Sequence, residues 1–280
     1  MLNNGPIGVF DSGIGGLTVL RSIIEQLPEY DYLYLGDNGR APYGNRSFNT
    51  IHQYTWECVQ WMFRQGCPLI ILACNTASAK ALRTIQQQDL PKQHAEERVL
   101  GVIRPTAEVI GQYSKTGHVG VLGTKGTVQS GSYLLEIAHF APEIKVHQQA
   151  CPMWVPLIES GEYKNDGADY YIKQYLDQLV NQSESIDTVL LACTHYPLLE
   201  DKIKTYLGAD IKVIGQGDIV AASLADYLQR HPEMEQRLTK NGTRRFFTTM
   251  DDTPEFDNHA SQFFGSTITS TFTDVREGCA

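Results

Sequence analysis

The chain has 280 residues, 42% of them apolar and 20% charged, with a formal net charge of −9. That length builds one large or two modest domains, and the acidic balance argues against general nucleic-acid binding, which needs a basic surface. No apolar run is long enough for a membrane span, whereas a small acidic substrate stays open, because a local site can be positive on an acidic protein.

Residues 1–6 read as a loose start and residues 7–10 as a short buried strand. Asp11-Ser12-Gly13-Ile14-Gly15-Gly16 is a glycine-rich turn into a helix whose apolar face is Leu17, Leu20, Ile23, Ile24 and Leu27. The turn fails the G-x-G-x-x-G test for a dinucleotide, since Thr18 holds the last position. A second strand over 32–35 leads into a loop, residues 36–44, that reads equally well as site lining or as a solvated connection. Ser47 is the expected N-cap of a long helix ending near Gly66. Residues 69–73 form an apolar run ending in Cys74-Asn75-Thr76, followed by a helix over 77–85 and a strand over 99–103 that Arg104-Pro105 ends.

The pattern then restarts, with a helix from about Thr106 and a strand over 118–122. Gly123-Thr124-Lys125-Gly126-Thr127 is not a P-loop, because its lysine lies on the wrong side of the second glycine. Its threonines suit either hydrogen bonding to a small anion or a plain turn. A helix to about Phe140 and a strand over 144–148 follow. Cys151 reads as structural, having no repeat partner. A helix over 166–182 precedes the strand 189–192, which runs into Cys193-Thr194-His195. After a strand over 211–214 come Gly215-Gln216-Gly217, a helix over 218–230, a loose polar connection over 231–243, a strand over 245–249 and a helix over 253–264. This tail is expected to complete the first sheet.

The order contains a double echo. Gly8-Val9-Phe10-Asp11-Ser12-Gly13 corresponds to Gly120-Val121-Leu122-Gly123-Thr124-Lys125, and Leu72-Ala73-Cys74 corresponds to Leu191-Ala192-Cys193. The reading is an α/β protein of two pseudo-symmetric three-layer α/β/α domains with mostly parallel sheets. Residues 1–103 with 215–270 make the first domain and 104–214 the second, with the site in the cleft between them. Each cysteine sits where a strand hands over to a helix N-terminus, the usual ligand position in open α/β sheets. The helix start attracts an anion and favours a thiolate.

Six cysteines (Cys58, Cys67, Cys74, Cys151, Cys193, Cys279) include no C-x-x-C pair, so structural zinc is not expected. With no signal-peptide pattern, the expectation is reduced thiols in the cytoplasm. Two thiols facing one cleft suit a disulfide, which the cytoplasm disfavours, or a metal site helped by His195 and Asp11. They also suit nucleophilic catalysis by a Cys–His pair, or proton transfer on both faces of one carbon. A thiol pKa near about 8.5 makes acid and base forms accessible to the last of these. Asp11 and His195 fit as helpers of their nearer cysteines, though taken singly they read as a helix cap and a surface histidine.

Four stretches together resemble the signatures of bacterial glutamate racemase, over nearly the whole chain. They are Ile7-Gly8-Val9-Phe10-Asp11-Ser12-Gly13-Ile14-Gly15-Gly16, Pro42-Tyr43-Gly44, Ala73-Cys74-Asn75-Thr76-Ala77 and Cys193-Thr194-His195-Tyr196-Pro197-Leu198. The resemblance implies cofactor-independent interconversion of L- and D-glutamate, supplying D-glutamate for peptidoglycan. It implies catalytic roles for Cys74, Cys193, Asp11 and His195. Substrate contacts fall on Ser12, Tyr43, Gly44, Asn75, Thr76, Thr124, Thr127 and Thr194, and a cleft glutamate on Glu159. Asn38-Gly39 and Gly215-Gln216-Gly217 depart from the family pattern and are placed at the rim of the site. None of the inferred site positions is a lysine, so neither pyridoxal phosphate nor a metal is expected. The partner is a small molecule, with no nucleic acid and no membrane, and a homodimer remains open. An aspartate racemase is the alternative enzyme. A binding protein on this fold is the alternative class, against which the intact thiol pair argues.

Overall fold

A computed structural model gives the fold, described here over residues 4–277. The expected loose start at Met1 to Asn3, and Cys279, lie outside the described residues. Gly5 is held rather than loose: it bridges to Leu238, and its N–H donates to the Arg237 carbonyl at 3.0 Å.

Among the described residues ten strands form two sheets. The first holds β1 (Ile7–Asp11), β2 (Tyr32–Gly36), β3 (Leu69–Leu72), β4 (Arg98–Gly101), β9 (Arg244–Thr248) and β10 (Ser270–Phe272). The second holds β5 (His118–Gly123), β6 (Lys145–Ala150), β7 (Thr188–Ala192) and β8 (Lys212–Ile214). The orders are β10-β9-β2-β1-β3-β4 and β6-β5-β7-β8, and every pairing is parallel. Shifting each label of the second sheet down by four reproduces the run β2-β1-β3-β4 of the first, so the echo in the sequence is a repeat of topology. β1, β2, β3 and β7 are buried at every residue, as expected of parallel strands covered on both faces by helices. Parallel pairing brings all strand C-termini to one edge. There Phe10 lies beside Leu72, and Gly123 beside Ala192. The turn after β1 therefore neighbours Cys74, and Thr124 neighbours Cys193.

Several boundaries differ from expectation, the larger differences being these. A helix begins at Ile103 rather than Thr106, with Arg104 and Pro105 in its first turn; proline is tolerated there because the first helical N–H groups have no intrahelical partner. The helix after Cys74 starts at Asn75 and passes through short helical segments to Gln93. Gly131, at φ 67°, divides the next helix into Lys125–Ser130 and Ser132–Phe140. The connection over 231–243 is ordered, with a helical turn Pro232–Glu235 and buried Met234, Arg237 and Leu238. β9 and β10 extend the first sheet, as expected of the tail, although β10 is too short to leave a periodic signal. Among the described residues no helix is long and apolar enough to cross a membrane.

Asp31 anchors the approach to β9. Its carboxylate accepts from the Asn241 N–H and side-chain amide at 3.1 and 2.8 Å, and from the Thr243 N–H and hydroxyl at 2.7 and 2.8 Å. Burial opposes the charge, but these donors outweigh it and hold the carboxyl well below its usual range. Asp31→Ala is expected to cost roughly 1.5–3 kcal/mol in urea unfolding. A depressed carboxyl stabilises fully above its unfolded pKa of about 3.9 and less as pH falls below it, so the deficit should shrink on acidification below pH 4.

Candidate active site

Cys74 and Cys193 line one cleft. They follow the equivalent strands β3 and β7. On the first wall, Cys74 caps the helix Asn75–Lys80, its sulfur accepting from the Ala77 N–H at 3.4 Å and donating to Ser12 Oγ at 3.3 Å. Burial, followed by the negative charge of Asp11, pushes the Cys74 thiol up to about 12 despite these two contacts. The thiolate-favouring field expected of the helix start is outweighed: the helix has six residues, and desolvation acts on the whole charge.

The second wall is built differently. His195 Nδ1 lies 4.0 Å from Cys193 Sγ, and Nε2 lies 3.0 Å from Glu159 Oε1. Burial disfavours the imidazolium, but the contacts with Cys193 and Glu159 overcome it and raise the His195 pKa to about 10. His195 is thus buried and cationic at neutral pH, not a surface residue. Sequence reasoning left Glu159 without a role; the structure makes it the carboxylate that orients His195.

Asp11 is fully buried and does not line the cleft. Its carboxylate accepts from the Gly13 N–H at 3.0 Å and from Thr194 Oγ1 at 3.3 Å, so it reaches Cys74 through charge rather than a direct bond. Burial raises its pKa, against the opposing charge of His195. Thr127 is also buried behind the lining, where its hydroxyl lies 3.1 Å from Thr124 Oγ1. Thr124 in turn meets Thr76 Oγ1 at 2.9 Å, and the Gly126 N–H donates to the Gly44 carbonyl at 2.9 Å, which joins the two halves at the mouth. Ser12, Gly44, Asn75, Thr76 and Thr194 line the cleft. Tyr43 lines it too, but its hydroxyl donates to buried Asp37 at 2.5 Å and is committed away from the space. The loop over 36–44 is therefore site lining along Ala41 to Gly44.

Three features went unread in the sequence. Lys125 lines the exposed mouth, and Cys151, Pro152, Val155 and Pro156 form an apolar flank. The available signal was only the strand-end position of Thr124-Lys125 and the prolines around Val155. Gln216, expected at the rim, is buried beneath Asn75, and its side-chain carbonyl accepts from the Asn75 amide at 2.7 Å. Among the described residues no group of three or more His, Cys, Asp or Glu side chains is arranged to hold a metal.

The Asp/Glu/hydantoin racemase family model matches residues 7–224. The glutamate racemase of Persephonella marina is 40% identical over 267 residues, spanning 94% of each chain. The chain belongs to the glutamate racemase family. Glutamate racemase isoform RacE1 of Bacillus anthracis superposes with a TM-score of 0.87 at 36% identity, over 96% of this chain and 97% of that one. The Francisella tularensis glutamate racemase, solved in complex with D-glutamate, superposes with a TM-score of 0.85 at 31% identity, over 98% and 99%.

Within this glutamate racemase framework, Gly15 is a packing requirement of the second wall. A Cβ there would fall 2.5 Å from His195 Nδ1 and 2.8 Å from Cε1, and against Thr194 Oγ1. Gly15→Ala must displace the His195 ring, and a misplacement near 1 Å costs roughly 10²-fold in rate. The expected outcome is a loss of racemisation on that order, with about 1–3 kcal/mol of stability lost to overpacking. Gly167, where an added carbon meets open space, provides the neutral Gly→Ala control.

Proposed function

We propose that the chain interconverts L- and D-glutamate without a cofactor, by a two-base mechanism in which Cys193 serves the L face and Cys74 the D face. The observation that carries this reading is that two cysteines at equivalent topological positions line one cleft. Residues 1–103 with 215–270 and residues 104–214 are the two domains that present them. The Francisella tularensis relative with bound D-glutamate supports the substrate.

The environments of the two walls differ. His195 Nδ1 stands 4.0 Å from Cys193 Sγ, whereas burial keeps Cys74 a thiol. The Cys193 thiolate takes the α-proton of L-glutamate and becomes a thiol. The electron pair left on the α-carbon delocalises into the carboxylate. The Cys74 thiol delivers its proton to the opposite face, giving D-glutamate and a Cys74 thiolate. The reverse reaction uses the same steps backwards. His195 and Asp11 hold and redistribute charge around their cysteines, and Glu159 orients His195. Substrate contacts come from Ser12, Tyr43, Gly44, Asn75, Thr76, Thr124 and Thr194, with Thr127 supporting Thr124. Hydrogen-bond donors among them stabilise the charge developing on the carboxylate. The product supplies peptidoglycan synthesis in the cytoplasm.

The test is a polarimetric assay of purified protein on L-glutamate, D-glutamate and L-aspartate, with no added cofactor and with chelator present. Both glutamate enantiomers should converge on an equal mixture while aspartate is spared. Turnover of aspartate alone, or of glutamate only after pyridoxal phosphate or metal is added, would overturn the reading.

A further inference from the structure

Beneath the cleft floor lies a closed polar ring that the reaction scheme above does not use. Gln216 Oε1 accepts from Asn75 Nδ2 at 2.7 Å, Asn75 Oδ1 accepts from the Tyr133 hydroxyl at 2.6 Å, and Gln216 Nε2 donates to the Tyr133 oxygen at 2.7 Å. Gln216, Asn75 and Tyr133 are 4%, 2% and 0% exposed, so the ring is shielded from bulk water.

The direction of every bond in the ring is determined from outside it. Gln216 Nε2 also faces the Val102 carbonyl at 3.2 Å and Thr106 Oγ1 at 2.9 Å. A carbonyl only accepts, and the Thr106 hydroxyl spends its proton on the same Val102 carbonyl at 2.9 Å. The amide nitrogen of Gln216 must therefore face Val102, and its oxygen must face Asn75. Asn75 then presents nitrogen to Gln216 and oxygen to Tyr133. One N–H of the Asn75 amide is left over, and Asn75 lines the cleft. Reversing Asn75 alone would set its oxygen against the oxygen of Gln216. Unpaired polar atoms in such a site are costly.

We infer that Gln216, with Tyr133, is a positioning residue for racemisation, fixing the Asn75 amide so that its free N–H, and not its oxygen, is offered to the substrate. The inference rests on the glutamate racemase reading above and adds the device that sets the polarity of one donor. A donor at that point stabilises a carboxylate gaining charge, whereas an acceptor would repel it. Gln216 touches neither the cleft nor the reacting atoms, and its effect runs through Asn75.

A double-mutant cycle separates this role from mere structural support. Gln216→Met should lower kcat/KM for glutamate about tenfold or more, and Asn75→Ala about 10²-fold, the scale of losing an oriented donor. The double variant should be no slower than Asn75→Ala alone, because Gln216 acts only through that amide. Tyr133→Phe, which removes a single hydroxyl, runs the same cycle in case Gln216→Met does not fold, and circular dichroism and urea unfolding report the fold of each variant. Coupling that removes the Gln216 or Tyr133 effect in the Asn75→Ala background supports the inference. Independent, additive losses, or a folded Gln216→Met variant at the parent rate, overturn it. A parent enzyme that fails to racemise glutamate would overturn the functional reading itself.

Discussion

Cys74→Ala and Cys193→Ala are each expected to lower glutamate racemisation by more than about 10³-fold, the upper range for a positioned acid or base. A single base swinging between faces needs only one cysteine, and two fixed bases need both. The sulfurs are buried but their removal deletes one atom each, so both variants should keep the fold. Each retains one base and the donors around the carboxylate. A glutamate analogue with a leaving group on the β-carbon requires only one deprotonation to eliminate. Cys193→Ala should therefore still eliminate from the D analogue and fail on the L analogue, and Cys74→Ala should do the reverse. Near-parent racemisation by either variant would refute the two-base scheme. Elimination from the same enantiomer by both would leave two bases standing but reverse the assignment of faces.

The second large effect is in the pH profile. For L-to-D turnover the enzyme must hold His195 as imidazolium and Cys74 as thiol. With His195 raised to about 10 and Cys74 to about 12, kcat/KM should stay level through pH 9. It should then fall about tenfold per pH unit as His195 loses its proton. His195→Asn should be slower at pH 8 and should lack the break near pH 10. Stability follows with a definite sign. The folded pKa of His195 lies above its unfolded value of about 6.5, so its stabilisation is complete below that value and is lost as pH rises through about 10. The gap in melting temperature between parent and His195→Asn should thus close between pH 7 and 10. A break near pH 8.5, where an ordinary thiol titrates, would contradict the buried state of Cys74.

Much of the molecule was legible in order along the chain. Continuous apolar runs such as residues 69–72 mark strands covered on both faces, and Ser47 marks a helix start that its side chain caps, accepting from the Thr50 N–H at 3.2 Å. The matched Leu-Ala-Cys endings locate both thiols at the same edge of their sheets, since strand direction alone decides which end a residue occupies. These are local properties, written in hydrophobic pattern and turn chemistry.

What lay beyond the sequence depends on groups far apart in the chain. Asp11 reads as a neighbour of Cys74, yet its carboxylate is bonded to Thr194 of the other half. Glu159 reads as an isolated acid until folding brings it to His195. Gln216 reads as part of a loop at the rim, yet it closes a ring with Asn75 and Tyr133. The two cysteines have the same motif, but burial and the charge of Asp11 act on one while His195 stands beside the other. The sequence by itself determined the α/β repeat and the residue types at its strand ends. Only the tertiary structure decided their protonation and orientation, because desolvation and charge act through space over a few ångströms, without regard to distance along the chain.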